Sequence, residues 1–251
     1  MSELNAVYFM WKREMIRFFR SKSRVIGSLG MPFFMLAILG TGLNNAISIP
    51  GMEGNYIAFI TPGILSMVLL FASVFSGGIV IIDRQFGFLK ETLVAPVKRT
   101  SIVIGKALGG ATAAVLQGII MLGIAMLLGV SISFANALLA LFVMLLISFG
   151  FVALGIAIAS VMEDMHGFQL IMNFLVMPMF FLSGALFPLN SAPEIVRIVS
   201  HIDPLTYAVE ALRYLLMGSS MIPIALSMAV LVLFSITCTL IAAYLFGKIE
   251  D

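Results

Sequence analysis

Five stretches without Asp, Glu, Lys or Arg, at 25–52, 54–82, 107–162, 165–193 and 214–247, limit what this chain can become. Each is at least as long as the roughly 20 residues a helix needs to cross a ~30 Å hydrocarbon core. A membrane β-barrel would instead show segments of ~10 residues alternating in polarity. The chain is 61% hydrophobic and 10% charged, where an average soluble domain is about 25% charged. The expected fold class is therefore an all-α membrane protein, a single transmembrane domain over 1–251. The first apolar run follows basic residues but is too long for a secretory h-region of ~7–15 residues, so it is expected to stay as an uncleaved span.

Ahead of the first span, residues 4–22 read as an interfacial amphipathic helix. Leu4, Val7, Tyr8, Trp11, Met15 and Phe18 share one stripe, with Arg13, Arg17 and Arg20 opposite. The aromatic stripe would sink to headgroup depth while the arginines meet anionic lipid or a partner's acidic surface. Span one is predicted from about Val25 to Ala46, a Pro/Gly loop at 48–55, and span two from about Tyr56 to Ile82. The 107–162 run holds two crossings, with the break near Gly129 to Ser133. Span five is expected from about Gly167 to Leu186 and span six from about Ile222 to Phe246.

Between spans five and six, 187–221 reads as a two-helix hairpin too short to cross. Ser191 with Glu194 has the form of a capping box, and Asp203 with Pro204 supplies a second N-cap followed by Pro at the first helical position. Tyr207, Glu210 and Arg213 follow on the second helix, which Gly218 would end. With six spans, the basic residues divide into Lys12, Arg13, Arg17, Arg20, Lys22 and Arg24 before span one, Arg84, Lys90, Lys98, Arg99 and Lys106 after span two, and Lys248 at the tail. Only Arg197 and Arg213 fall on the other side, so the positive-inside rule places both termini and the 83–106 segment in the cytosol and the hairpin outside. This grouping by membrane side does not suit a nucleic-acid partner.

The spans offer no ion relay, no G-x-x-x-x-G-K-[ST] phosphate loop, and no metal site, since His166 and His201 lie on opposite sides. Cys238 reads as a small buried thiol. Gln117, Asn173, Ser73, Ser76, Ser235, Thr237 and Thr239 read first as interhelical hydrogen-bonding groups, and Gly105-x-x-x-Gly109 and Ser73-x-x-x-Gly77 as close-packing faces. Work done by such a body must come from outside. The segment 84–95 can form a short cytosolic helix whose Phe86, Leu89 and Leu93 share a stripe beside Lys90 and Glu91, ended by Pro96, with Thr100 or Ser101 capping span three. Such a stripe suits a groove in a partner, or alternatively the headgroup layer.

Leu89-Lys90-Glu91-Thr92-Leu93-Val94-Ala95-Pro96-Val97-Lys98-Arg99, then Ile102-x-x-Gly105-Lys106, resembles the cytosolic loop of type-two ABC exporter permeases. A second match to the same family lies in Phe181-Leu182-Ser183-Gly184-Ala185-Leu186-Phe187-Pro188, Asp203-Pro204-Leu205-Thr206-Tyr207 and Ala211-Leu212-Arg213, which resemble its members in the same order. The resemblance covers the whole chain. It implies a permease in the cell membrane, paired with a second copy and with separate ATP-hydrolysing subunits that carry the ATP and Mg, so that this chain needs no cofactor and is not itself an enzyme. The coupling helix would be 86–95, with Phe86, Phe88, Leu89, Lys90, Glu91 and Leu93 on the ATPase, and Trp11, Arg13, Arg17, Phe18 and Arg20 on the interfacial helix nearby. Spans two and five would line the path for a drug-like, lipid or glycan cargo, through Phe71, Phe75, Asn173 and Met177, and the hairpin would form a lid at the exit. Two other readings stand beside it: a membrane scaffold or regulatory subunit without cargo, and an intramembrane enzyme using His166 or Cys238.

Overall fold

The computed structural model describes residues 3–43, 56–89, 92 and 96–249. The expected loop at 48–55, the end of span one at Ala46, and Lys90, Glu91, Leu93 and Ala95 lie outside the described residues. The described residues form helices and no strands: α1 (Glu3–Arg20), α2 (Lys22–Phe34), a π turn (Met35–Leu39), α3 (Gly40–Leu43), α4 (Tyr56–Gln85), α5 (Arg99–Leu127), α6 (Phe134–Val161), α7 (Met165–Leu182), α8 (Glu194–Ser200), α9 (Pro204–Met217) and α10 (Ile224–Gly247). Six segments are long and apolar enough to cross a membrane: Val25–Leu43, then α4, α5, α6, α7 and α10. The break between α5 and α6 falls where expected, at Gly129, whose φ of 99° suits a residue without Cβ.

Helix α4 is the most buried of the six and the centre of the bundle, packed on α5, α6, α7, α9 and the first span. Gly77 allows this. A Cβ there would lie 2.6 Å from the backbone of Gly155 and Ile156 on α6, so the close-packing face expected at Ser73-x-x-x-Gly77 is realised as a backbone-to-backbone crossing. The expected interhelical hydrogen bonds also form in part. Ser28 Oγ donates to Gln117 Oε1 at 2.6 Å, joining α2 to α5, and Ser235 Oγ donates to the Leu146 carbonyl at 3.2 Å, joining α10 to α6.

Several local expectations fail for identifiable reasons. Asp83 and Lys106 belong to α4 and α5 and not to a loop between them, because each finds a charged partner that lets the helix continue. Helix α5 starts after an extended Lys98, and Ser101 spends its hydroxyl on Glu3 instead of capping. The capping box at Ser191 does not form. Ser191 ends a 3₁₀ turn, and Pro193 precedes α8 without a side-chain cap.

The second hairpin helix is not a surface helix. Of its residues, Glu210 is fully buried and Arg213 is 3% exposed, and α9 packs against α4, α6 and α10. Arg213 pairs with Glu210, donates from Nη2 to the Gly184 carbonyl at 2.7 Å, and lies 4.5 Å from the centre of the Phe59 ring. Glu210 Oε2 in turn accepts from the Met221 and Ile222 amides. This pair therefore ties α9 to α4, to the turn after α7 and to the turn before α10. Arg213 Nε is buried without a hydrogen-bond partner, and the pair's other hydrogen bonds and the Phe59 ring offset the cost of burying it. Tyr207 donates to the His201 carbonyl at 2.8 Å, and Gly218 ends α9 with φ 73° as expected.

Asp203 caps α9 as predicted, accepting from the Leu205 amide at 2.8 Å. Its other oxygen is buried without a partner. Burial pushes its carboxyl from the ordinary 3.8 up to about 7, against the pull of the Leu205 amide. Because the folded value is raised, native stability is fully present below 3.8 and is lost as pH rises through 7. The loss reaches at most about 4 kcal/mol. Asp203→Asn keeps an acceptor and removes the ionisation. It should raise the thermal midpoint of the detergent-solubilised protein by several degrees near pH 8 and leave it unchanged near pH 4.

Candidate functional site

The charged residues that interrupt the apolar sequence come together at one end of the bundle. Asp83, 1% exposed in the last turn of α4, accepts from Arg13 Nη2 at 2.9 Å and Arg17 Nη2 at 2.8 Å through Oδ1, and pairs with Lys106 of α5 through Oδ2. Glu14, also buried, stands 3.8 Å from Lys106 and 3.4 Å from Arg17. A lone carboxylate at this depth would be too costly to keep ionised, so α4 can end here only with cations supplied by its neighbours.

Helix α1 delivers two of those cations because it lies along α5. A Cβ at Gly105 would sit 2.7 Å from Met10 Cβ, and one at Gly109 would sit 2.5 Å from Glu14 Cβ, so the Gly105-x-x-x-Gly109 face is the seat of α1. Trp11 Nε1 donates to Thr112 Oγ1 at 3.1 Å, and Glu3 accepts from Ser101 Oγ at 2.6 Å and from the Lys98 amide at 3.2 Å. Donation from Ser101 holds the Glu3 carboxyl below the ordinary glutamate range.

This corrects the free basic face expected of α1. Arg13 and Arg17 are used inside the chain, and Ala6, Met10, Glu14 and Met15 are buried, while Leu4 and Tyr8 of the stripe expected at headgroup depth are exposed on the protein surface. Arg20 alone of the three arginines points outward, and Phe18 is half-buried.

Directly after Asp83 the chain turns. Helix α4 ends at Gln85, and Phe86 and Gly87 form a turn in which Gly87 has φ 77°. Phe86 is 74% exposed and Phe88 50% exposed, with Arg13 5.4 Å from the centre of the Phe88 ring, whereas Leu89 is buried in the core. The expected stripe is thus divided by Gly87: Phe86 and Leu89 do not share a face, and Leu89 cannot offer its side chain to a partner. The Thr92 hydroxyl donates to the Phe88 carbonyl at 2.9 Å, a helical spacing. Arg99 donates to the Gly247 carbonyl, so the end of α10 lies at the same end of the bundle as α1 and this turn.

A cavity of about 570 Å³ opens beside the clamp, between α1, α2, α4, α5 and α7. Glu14 and Arg17 form one part of its wall, and Phe71, Phe75 and Met177, three of the four residues expected along a cargo path, line it. Asn173 does not line it and is exposed on α7. Gln117 and Ser28, joined by a hydrogen bond, contribute polar groups to the wall, as do Ser21, Ser76 and Gln169.

Periodicity assigned Arg13 and Arg17 to the outside because it counts faces and not partners. The signal was present: Glu14 is an acid set among bases, and Asp83 and Lys106 mark the ends of two apolar runs. Removing the hub should be costly. Asp83→Ala leaves Lys106 buried without its carboxylate, so a loss of about 3–5 kcal/mol is expected. Arg13→Ala, at a side chain 31% exposed, should cost about 1 kcal/mol or less. Thermal unfolding of the two variants in detergent checks the order.

Residues 5–217 match the family described as ABC-2 type transporter. Over 220 residues the chain is 29% identical to the protein named transport permease ycf38 of Cyanophora paradoxa, covering 86% of this chain and 76% of that protein. It is 26% identical over 236 residues to Nodulation protein J of Sinorhizobium fredii (strain NBRC 101917 / NGR234), covering 91% of this chain and 85% of the other. It is 26% identical over 256 residues to Inner membrane transport permease YadH of Escherichia coli (strain K12), with 94% and 92% covered. With six apolar crossing helices and a family match over most of its length, the chain is a multi-pass membrane permease that belongs to the ABC-2 type transporter family.

Proposed function

We propose that this permease works outward, as one of two copies, on energy delivered by a separate ATP-hydrolysing subunit that docks on the 84–95 segment. The observation that carries the reading is the pair Phe86 and Phe88. Two large aromatic side chains stand exposed at the end of the most buried helix, three and five residues after a carboxylate clamped by three cations. Aromatic anchors on a rigid base are what an interface core uses. A push on them is carried into α4 because Asp83 holds that end to α1 and α5. Lys90, Glu91 and Leu93 continue the same segment in sequence, and Arg20 and the exposed side of α1 would offer the partner a second contact.

The positive-inside count supports placing this end in the cytosol, with both termini there and α8 and α9 at the opposite surface. YadH carries the words inner membrane in its name, which supports the cell membrane as the location of this chain. The path would run along α4 and α7, through the cavity with Phe71, Phe75 and Met177. A drug-like, lipid or glycan cargo suits such a wall, and the ATP and Mg belong to the partner subunit.

Replacing Phe86 and Glu91 together by Ala should lower ATP-dependent transport in vesicles by about tenfold or more, the loss expected when an interface anchor is truncated. Transport at the normal rate in that double variant would remove the coupling role from this segment.

A further inference from the structure

We infer that the cavity beside the clamp binds a single-chain amphiphile with one anionic group, and that Arg17 selects the anion. This deepens the permease reading by naming a cargo class, and it rests on that reading only in treating the cavity as part of the path.

Arg13, Arg17 and Lys106 face two carboxylates, Asp83 and Glu14, so the clamp holds one more cation than anion. Both oxygens of Asp83 are engaged, Oδ1 by the two arginines and Oδ2 by Lys106. What remains for Arg17 Nη1 is Glu14, whose oxygens are both 3.4 Å away. Charge-assisted N–H···O bonds of good quality are ~2.7–2.9 Å long, so this donor is under-used. Arg17 is 26% exposed and, unlike Arg13, forms part of the cavity wall.

The rest of the wall fits an apolar body. Phe18, Phe71, Phe75, Met31, Met67 and Met177 line it, and thioethers and rings of this kind adapt to a flexible chain. Among the described residues lining the cavity, Glu14 and Arg17 carry the only charges. Glu14 is itself held by Lys106 and Arg17, so it repels an incoming anion less than a free carboxylate would. A volume of about 570 Å³ is in the range of roughly 300–1,000 Å³ for small-molecule sites, which suits one alkyl chain with its headgroup.

The tryptophan at position 11, the only one in the chain, reports on this site, since it is bonded to Thr112 and lies against Gly109, a lining residue. The full-length protein in phosphatidylcholine nanodiscs is titrated with chain-brominated dodecyl phosphate and chain-brominated dodecyltrimethylammonium, and quenching of Trp11 is read. Dodecyl phosphate should bind about tenfold tighter. Arg17→Gln should abolish that preference, Arg17→Lys should retain most of it, and Lys12→Gln, which removes an exposed charge from the same helix, should leave it intact.

Because Arg17 also holds Asp83, Arg17→Gln can fail to fold, and Ala72→Phe gives an independent arm by filling the cavity. Quenching by dodecyl phosphate should then be lost. Equal binding of the two amphiphiles by the wild type overturns the proposal, as does a preference that survives Ala72→Phe or Arg17→Gln. Arg17-dependent quenching by a brominated phosphatidylglycerol in place of dodecyl phosphate also overturns it, because the occupant is then a membrane lipid. None of these readings uses ATP or transport, so the binding result and the permease reading stand or fall separately.

Discussion

A single buried carboxylate sets the arrangement of this protein's charged end. Asp83 lies in the last turn of the helix that fills the bundle, where an unpaired charge would cost several kcal/mol. Its neutralisation by Arg13, Arg17 and Lys106 requires three helices to meet at one point. That requirement fixes α1 along α5, and the two glycines of α5 supply the close approach it needs. The exposed Phe86 and Phe88 and the wall of the cavity are both within reach of the same point. The clamp is therefore where the proposed docking segment and the cavity meet.

A second buried pair does comparable work at the other hydrophilic region of the sequence. Glu210 and Arg213 join α9 to the turns on either side and to Phe59 of α4. Helix α4 is thus held by polar contacts near both ends, with backbone-close packing at Gly77 between them. In a bundle whose helices gain little from apolar burial against one another compared with lipid, polar ties and small-residue crossings decide the register. A rigid α4 follows, and on the proposed reading rigidity is what lets a push at Phe86 reach the path.

The sequence made the crossing helices legible because a hydrocarbon core imposes length and polarity together. The break at Gly129, the cap at Asp203 and the stop at Gly218 were readable for local reasons, a glycine's φ or a carboxylate next to Pro204. The charged members of the clamp stood out in the sequence but their pairing did not, because it joins groups about 70 and 90 positions apart, Arg13 with Asp83 and Glu14 with Lys106. Helical periodicity located Arg13 and Arg17 on one face of α1 and had no means of knowing that the face meets Asp83. The same blindness misplaced Leu89, since one positive φ at Gly87 rotates it away from Phe86. Of the four residues expected along spans two and five, Asn173 lies away from the cavity, because membership of span five does not fix which side of α7 a residue occupies.

If the clamp carries force between an energy-supplying subunit and the path, weakening it without removing it should separate hydrolysis from transport. Asp83→Asn keeps the shape and loses the charge. In proteoliposomes holding this permease with its ATPase subunit, hydrolysis and transport are measured together. The account predicts that hydrolysis persists while transport per ATP falls by about tenfold, the effect of losing roughly 1.4 kcal/mol of coupling. Transport per ATP equal to that of the wild type would contradict it.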